Sequence, residues 1–353
     1  MSKYWSRFVT DLKPYVPGEQ PKDKKYIKLN TNENPYPPSP KAIEAAKSAA
    51  TGDLRLYPMP ECDNLREAIA CNFGLNKSNV YVGNGSDEML AFTFLAFFKK
   101  DKPILFPDIT YSFYPVYCEL YQIDYKLVEL DENFDIPVDG FNRPNGGIIF
   151  PNPNAPTSKL MPLEGIGTIL NKNPESVVVI DEAYIDFGGE SAIRLINRYP
   201  NLLVIQTFSK SRSLAGLRIG FAAGQEHLIE ALSRIKNSVN SYVLDRVALA
   251  SAEAAIKDVE YFNETRHKVI CTRDRTIAEM RKLGFSIPDS AANFIFASHK
   301  SIGAEELFLK LKERGILVRH FASPRIENYL RISVGTDEEM SFLVEVLKEI
   351  LRS

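Results

Sequence analysis

The sequence predicts an α/β fold built on a mostly parallel sheet, and three observations support this. From residue 80, short apolar runs alternate with helical patterns, the order that right-handed crossovers between parallel strands produce. Several runs, such as "GGIIF", "SVVVI" and "NLLVI", are continuous rather than alternating, as strands buried on both faces require. After residue 241 the pattern changes to a long helical stretch followed by a β-α-β-β-α order. A three-layer α/β/α unit with a smaller α+β unit is therefore expected. The expected divisions are an N-terminal arm, 1–34, packing with the small unit; a large unit, 35–245; and a small unit, 246–353.

Taken in order, the arm contains "LNTNENPYPPSP", whose prolines forbid a continuous helix. "PKAIEAAKSAA" and "NLREAIACNFG" read as two helices. "NVYVGNGSDEMLAFTFLAFF" reads as strand, glycine turn and helix. "PILFP", "YKLVEL", "GGIIFP", "SVVVIDEA", "NLLVIQTFS" and "RIGFAAG" supply the remaining strands of the large sheet. "DRVALASAEAAIKDVEYFNETRHKVICTRDRTIAEMRKLG" reads as one long helical stretch. "NFIFAS", "GAEELFLKLKERG", "ILVRHF", "YLRISVG" and a final helix complete the small unit.

Composition removes several classes of function. The 353 residues carry a net charge of −2, with 44% hydrophobic and 25% charged side chains, ordinary values for a soluble globular chain of about two domains. No Lys/Arg cluster interleaved with aromatics appears, which argues against nucleic acid. The longest apolar run, "MLAFTFLAFF", is far too short to span a membrane. The four cysteines, Cys62, Cys71, Cys118 and Cys271, form no C-x-x-C pair, so a reducing, cytoplasmic compartment is expected. The four histidines are scattered without ligand spacing, and no metal site is expected.

Ligands of open α/β sheets bind outside the carboxyl ends of the strands, so the residues there carry the argument. After the first strand, "GNGSDEML" combines Gly83 and Gly85 for a tight turn with a helix start near Ser86 and Asp87. Free N–H groups at such a start make an anion site. Neither a dinucleotide fingerprint nor a G-x-x-x-x-G-K-[ST] loop is present. After "ILFP", Tyr111 offers a flat ring for stacking. After "SVVVI" comes Asp181, a carboxylate that is costly at a buried strand end unless it faces a cation, with Tyr184 three residues on. After "NLLVI" comes "QTFSKSRSLAGLRIG", with Thr207, Ser209, Lys210 and Arg218. A lone lysine is ordinarily solvated. Together with an anion cradle, a stacking ring and a strand-end acid, however, it matches what pyridoxal phosphate needs: an amine for its aldehyde, an acid opposite its ring nitrogen, and a phosphate site.

At these residues the sequence resembles the fold-type I pyridoxal-phosphate enzymes, and most of all the histidinol-phosphate aminotransferase family. "LKPYVPG", "LNTNENPY", "RLYPMPECDNLREAIA", "VGNGSDEML", "NPNAPTS", "VVVIDEAYIDF", "TFSKSRSLAGLRIG" and "YLRISVG" carry the resemblance over nearly the whole chain. It implies that Lys210 bonds the cofactor aldehyde, Asp181 faces the ring nitrogen, Tyr184 bonds the 3′-oxygen and Tyr111 stacks. Ser86, Asp87, Ser209 and Arg218 would hold the phosphate, with Gly85 and Thr207 as further cofactor-binding residues. Tyr57 would reach the phosphate of a neighbouring subunit, which implies a homodimer with shared sites. Arg331 would bind the substrate's anionic group, with Arg319 and Tyr15 as further candidates. The implied substrates are L-histidinol phosphate and 2-oxoglutarate, with glutamate as a product. An aromatic-amino-acid aminotransferase and a decarboxylase similar to threonine-phosphate decarboxylase remain alternatives. One departure stands out. The family's asparagine that bonds the 3′-oxygen is replaced by Ala155 and its following glycine by Ser158, so either Asn154, one residue earlier, substitutes or Tyr184 alone holds that oxygen.

Overall fold

The computed structural model describes residues 3–15, 18–98 and 101–352. In chain order the elements are α1 (Arg7–Asp11), β1 (Ile27–Lys28), α2 (Pro40–Ala49), α3 (Asp63–Phe73), β2 (Val80–Asn84), α4 (Gly85–Phe97), β3 (Ile104–Pro107), α5 (Phe113–Tyr121) and β4 (Tyr125–Val128). Then come β5 (Ile148–Pro151), α6 (Leu163–Lys172), β6 (Val178–Asp181), β7 (Leu202–Thr207), β8 (Ile219–Gly224), α7 (Glu226–Val239), α8 (Arg246–Lys257) and α9 (Val259–Lys282). The chain ends with β9 (Phe285–Ser286), β10 (Phe294–His299), α10 (Ala304–Glu313), β11 (Ile316–Leu317), β12 (Arg319–His320), β13 (Leu330–Ser333) and α11 (Asp337–Arg352).

Seven strands form the large sheet in the order β2-β8-β7-β6-β5-β3-β4. All pairs are parallel except those of β8, which runs antiparallel to both β2 and β7. Successive residues of one strand serve opposite faces. Val178 and Ile180 pack with α2, α3, α6 and α8, whereas Val179 packs with α4, α5 and α7. That alternation produces the three layers.

Local chemistry sets several helix boundaries. Ser39 caps α2 just ahead of Pro40 at its first turn, the position where a missing N–H costs nothing. Asp245 caps α8 by accepting from the Ala248 N–H. The stretch that reads as one helix is broken at Asp258 between α8 and α9. There the buried Asp258 carboxylate accepts from Ser39 Oγ and pairs with Lys41 Nζ at 2.8 Å. The break is a long-range effect that periodicity cannot show.

The small unit holds a four-stranded antiparallel sheet, β12-β13-β10-β9. "ILVRHF" divides between two partners. β11 pairs with β1 of the arm, and β12 pairs with β13. Leu29 of the arm enters the same core as Val269, Ile295, Leu311, Ile332 and Leu347. The expected division at residue 245 falls just before α8, whose Ala248, Ala252 and Ala255 pack in the large unit's core.

Candidate active site

The carboxyl ends of β6 and β7, the start of α4, the arm and the start of β13 converge on one cavity of about 230 Å³. Of the residues singled out in the sequence, Tyr15, Ser86, Asp87, Tyr111, Asp181, Tyr184, Thr207, Ser209, Lys210, Arg218, Arg319 and Arg331 line it. A second cavity of about 540 Å³ adjoins it and shares Tyr15, Tyr111, Ala155, Arg319 and Arg331.

Asp181 is the last residue of β6 and is 4% exposed. Burial pushes its carboxyl up to about 6, because a charge is poorly solvated there. Tyr114 Oη donates to it at 3.0 Å and the Ala183 N–H at 3.3 Å, and both bonds favour the ionised form. Lys210 follows β7 in a turn, with its Nζ donating to the Thr31 carbonyl at 3.1 Å. It lies 5.8 Å from the Tyr184 ring centroid.

The anion end is built from three segments. Gly85 opens α4 at φ +73°, and a Cβ there would lie 2.6 Å from Arg218 Nη2. The positive φ is what calls for glycine there, since the arginine tip could shift aside. Arg218 pairs with Asp87 Oδ2 at 3.0 Å and reaches Ser209 Oγ at 3.5 Å. Asp87 Oδ1 accepts from Tyr111 Oη at 3.1 Å. The Asp87 carboxylate is thus already engaged. What this residue can offer an anion is its N–H in the first turn of α4, beside that of Ser86.

At the opposite end, Arg331 donates from Nη2 to the Asn30 carbonyl at 3.0 Å, while its buried Nε has no partner among the described residues. Burial pushes its guanidinium below the usual range. The cavity holds four cationic side chains, Lys210, Arg218, Arg319 and Arg331, against two carboxylates, Asp87 and Asp181. An unpartnered guanidinium N–H in a cationic cavity suits an anionic ligand. The cradle at Gly85, the acid at Asp181 and the amine at Lys210 fit pyridoxal phosphate.

Two expected residues stand apart. Tyr57 is 76% exposed and stacks on Tyr242, with ring centroids 4.5 Å apart, outside this cavity. Asn154 does not line the cavity either. Its Nδ2 donates to the Ile109 carbonyl and to Thr157 Oγ1, each at 3.0 Å. Asn154 is fully buried, and Ala155 faces the cavity in its stead. Asn154 therefore does not replace the missing asparagine, because its amide is already used to shape the loop.

The structure also brings in residues that local sequence reading did not single out: Tyr114 behind Asp181, and Asn30, Thr31 and Asn32 of the arm. The arm residues sit in a quoted motif, "LNTNENPY", but no local pattern assigns them a partner 150 to 300 positions away.

The model of the family "Aminotransferase class I and II" matches residues 24–347. The chain belongs to this family. This aminotransferase is 58% identical to the histidinol-phosphate aminotransferase of Clostridium acetobutylicum over 351 residues, covering 99% of this chain and 100% of the relative. It is 56% identical to that of Clostridium beijerinckii, covering 99% and 98%. Among solved structures it resembles the histidinol-phosphate aminotransferase from Sinorhizobium meliloti in complex with pyridoxal-5′-phosphate (TM-score 0.89, 23% identity, 100% and 98% covered). It also resembles a histidinol-phosphate aminotransferase structure from Clostridium acetobutylicum (TM-score 0.86, 23% identity, 92% and 99% covered). At that identity the structural likenesses speak for the fold, which is the expected fold-type I architecture of this aminotransferase.

Proposed function

We infer that this chain uses pyridoxal phosphate to transfer the amino group of L-histidinol phosphate to 2-oxoglutarate, giving imidazole-acetol phosphate and glutamate in histidine biosynthesis. One observation carries the reading. Lys210, Asp181, an anion cradle and a second cationic end meet in one cavity, in a chain more than half identical, end to end, to proteins named histidinol-phosphate aminotransferases.

Bound pyridoxal phosphate supplies an electron-accepting ring that stabilises the charge left when a substrate Cα–H bond breaks. Asp181 would hold the ring nitrogen, and a positive charge there would keep the carboxylate ionised against the cost of its burial. Tyr114 and the Ala183 N–H keep that carboxylate oriented. Lys210 holds the cofactor and then, as a free amine, moves the proton at the substrate Cα. Arg218, Ser209, Ser86 and the first N–H groups of α4 hold the cofactor phosphate. Tyr111, which lines the cavity, would stack on the ring. Arg331, assisted by Arg319 and Tyr15, binds the substrate's anionic group.

The protein acts on small molecules. Among the described residues, no helix is long and apolar enough to cross a membrane. A cytoplasmic homodimer completes the proposal, with the exposed Tyr57 of each subunit reaching the cofactor phosphate of the other. The arm, the large unit and the small unit are proposed as the working parts.

The test is spectral. L-histidinol phosphate, added to the cofactor-loaded protein without a keto acid, bleaches the visible band, and 2-oxoglutarate restores it with release of glutamate. Bleaching by phenylalanine alone would overturn the substrate, and release of carbon dioxide would overturn transamination.

A further inference from the structure

Asn32 stands where the arm, the small unit and the cavity meet. It is 1% exposed and lies at φ +55°, a backbone region that asparagine enters more readily than most residues. Four hydrogen bonds hold it. Its N–H donates to Ser333 Oγ at 2.8 Å, and Ser333 Oγ donates to Asn32 Oδ1 at 3.0 Å. Its carbonyl accepts from Asn293 Nδ2 at 3.0 Å. Its Nδ2 donates to the Tyr184 hydroxyl oxygen at 3.1 Å.

The direction of the last bond matters. A phenol has one proton to give and also accepts. Ser333, already an acceptor for the Asn32 N–H, gives its own proton to Oδ1, which turns Nδ2 toward Tyr184. The Tyr184 oxygen then accepts, and its proton is left to point elsewhere. Among the described residues Tyr184 donates to no protein acceptor, and it lines the cavity. Ala155 has no amide to offer and the Asn154 amide is used in its loop, whereas the Asn32 amide meets Tyr184 directly.

We propose that Asn32 is a positioning residue, whose side-chain amide makes Tyr184 a hydrogen-bond donor toward the ring oxygen of bound pyridoxal phosphate. The proposal rests on the cofactor reading above. A donor to that oxygen draws negative charge from it and weakens the hold of the neighbouring Lys210 nitrogen on its proton. Asn32 thereby tunes the protonation of the cofactor through Tyr184. The charged groups sharing the cavity wall with Tyr184, namely Lys210, Arg218, Arg319, Arg331, Asp87 and Asp181, are left unaltered when Asn32 is changed.

The experiment is a pH titration of the visible absorbance of the cofactor-loaded enzyme. Asn32→Gly keeps the positive φ and deletes the amide without adding charge. Asn32→Asp keeps the shape but offers only acceptors, so it takes the Tyr184 proton. The expected result is an upward shift of the absorbance midpoint, by about one pH unit for Tyr184→Phe and for Asn32→Asp and less for Asn32→Gly. Asn32→Gly added to Tyr184→Phe should shift it no further. The inference is overturned if Asn32→Gly shifts the midpoint equally in the presence and absence of the Tyr184 hydroxyl, or if it leaves the midpoint unmoved while Tyr184→Phe raises it. If the unaltered protein forms no visible band with pyridoxal phosphate, the cofactor reading itself fails, and this inference with it.

Discussion

The floor and the roof of the cavity are built in different ways. The floor is the carboxyl end of the large sheet's inner strands. Asp181 ends β6 and Lys210 follows β7; Ala183 and the Thr207–Ser209 pair come from the same short segments, while Tyr114 of α5 supports Asp181 and the Lys210 amine reaches the arm at Thr31. The roof is the arm with the small sheet. Arg331 is held by Asn30 and Asn32 by Ser333, in each case across 301 positions of the chain. The floor is rigid because regular strands place it. The roof is placed only when the two ends of the chain meet. On the proposed function, chemistry that needs fixed geometry falls to the floor, and recognition and tuning to the roof.

Breaking the floor should have the largest effect. Lys210→Ala is expected to lower turnover by on the order of 10²–10⁴-fold from its proton-moving role alone, measured as glutamate formation, and to change the cofactor's visible band. Asp181→Asn keeps the shape but removes the charge, and kcat should fall by about 10²–10³-fold. A loss of less than tenfold for either would dissolve the distinction between floor and roof.

The roof should behave differently. Arg331→Ala is expected to raise KM for histidinol phosphate by about 10- to 100-fold, the worth of hydrogen bonds to a charged group, with a smaller change in kcat. Steady-state kinetics would check this, and a loss confined to kcat would assign Arg331 to the chemistry instead.

A fourth prediction probes the floor's support. Glu182 lies fully buried behind Asp181 and accepts from Ser191 Oγ, the Ala192 N–H and Gln206 Nε2. Burial pushes its carboxyl from about 4.5 up to about 7. Between those values the folded protein keeps a proton that the unfolded chain has lost. Stability therefore falls as pH rises through that window, by at most about 1.4 kcal/mol per pH unit. Glu182→Gln should flatten thermal stability over that window, and an unchanged slope would contradict the assignment. The smallest effect is expected for Tyr57→Phe, a several-fold weakening of cofactor binding measured by absorbance titration, because only one rim hydroxyl is lost.

Much of the floor was legible in advance. Continuous apolar runs marked β5, β6 and β7, and the residues just past their ends included Asp181, Tyr184, Ser209 and Lys210. The antiparallel course of β8 was not legible, because a buried run looks the same in either direction. Nor was the break at Asp258, which depends on Ser39 and Lys41 more than 200 positions earlier. Asn154 shows the opposite failure. Sequence adjacency to the missing amide made it the natural substitute, yet its side chain faces the loop and not the cavity.

Read alone, the sequence determined the sheet, the anion-binding turn and the lysine–acid pair, because hydrophobic period and strand-end chemistry are local properties. The tertiary structure alone decided that Asn32 meets Tyr184, that Arg331 meets Asn30, and that Ala155 rather than Asn154 lines the cavity. The physical reason is that hydrogen bonds between distant segments depend on where the folded chain brings them, and no periodicity encodes that meeting.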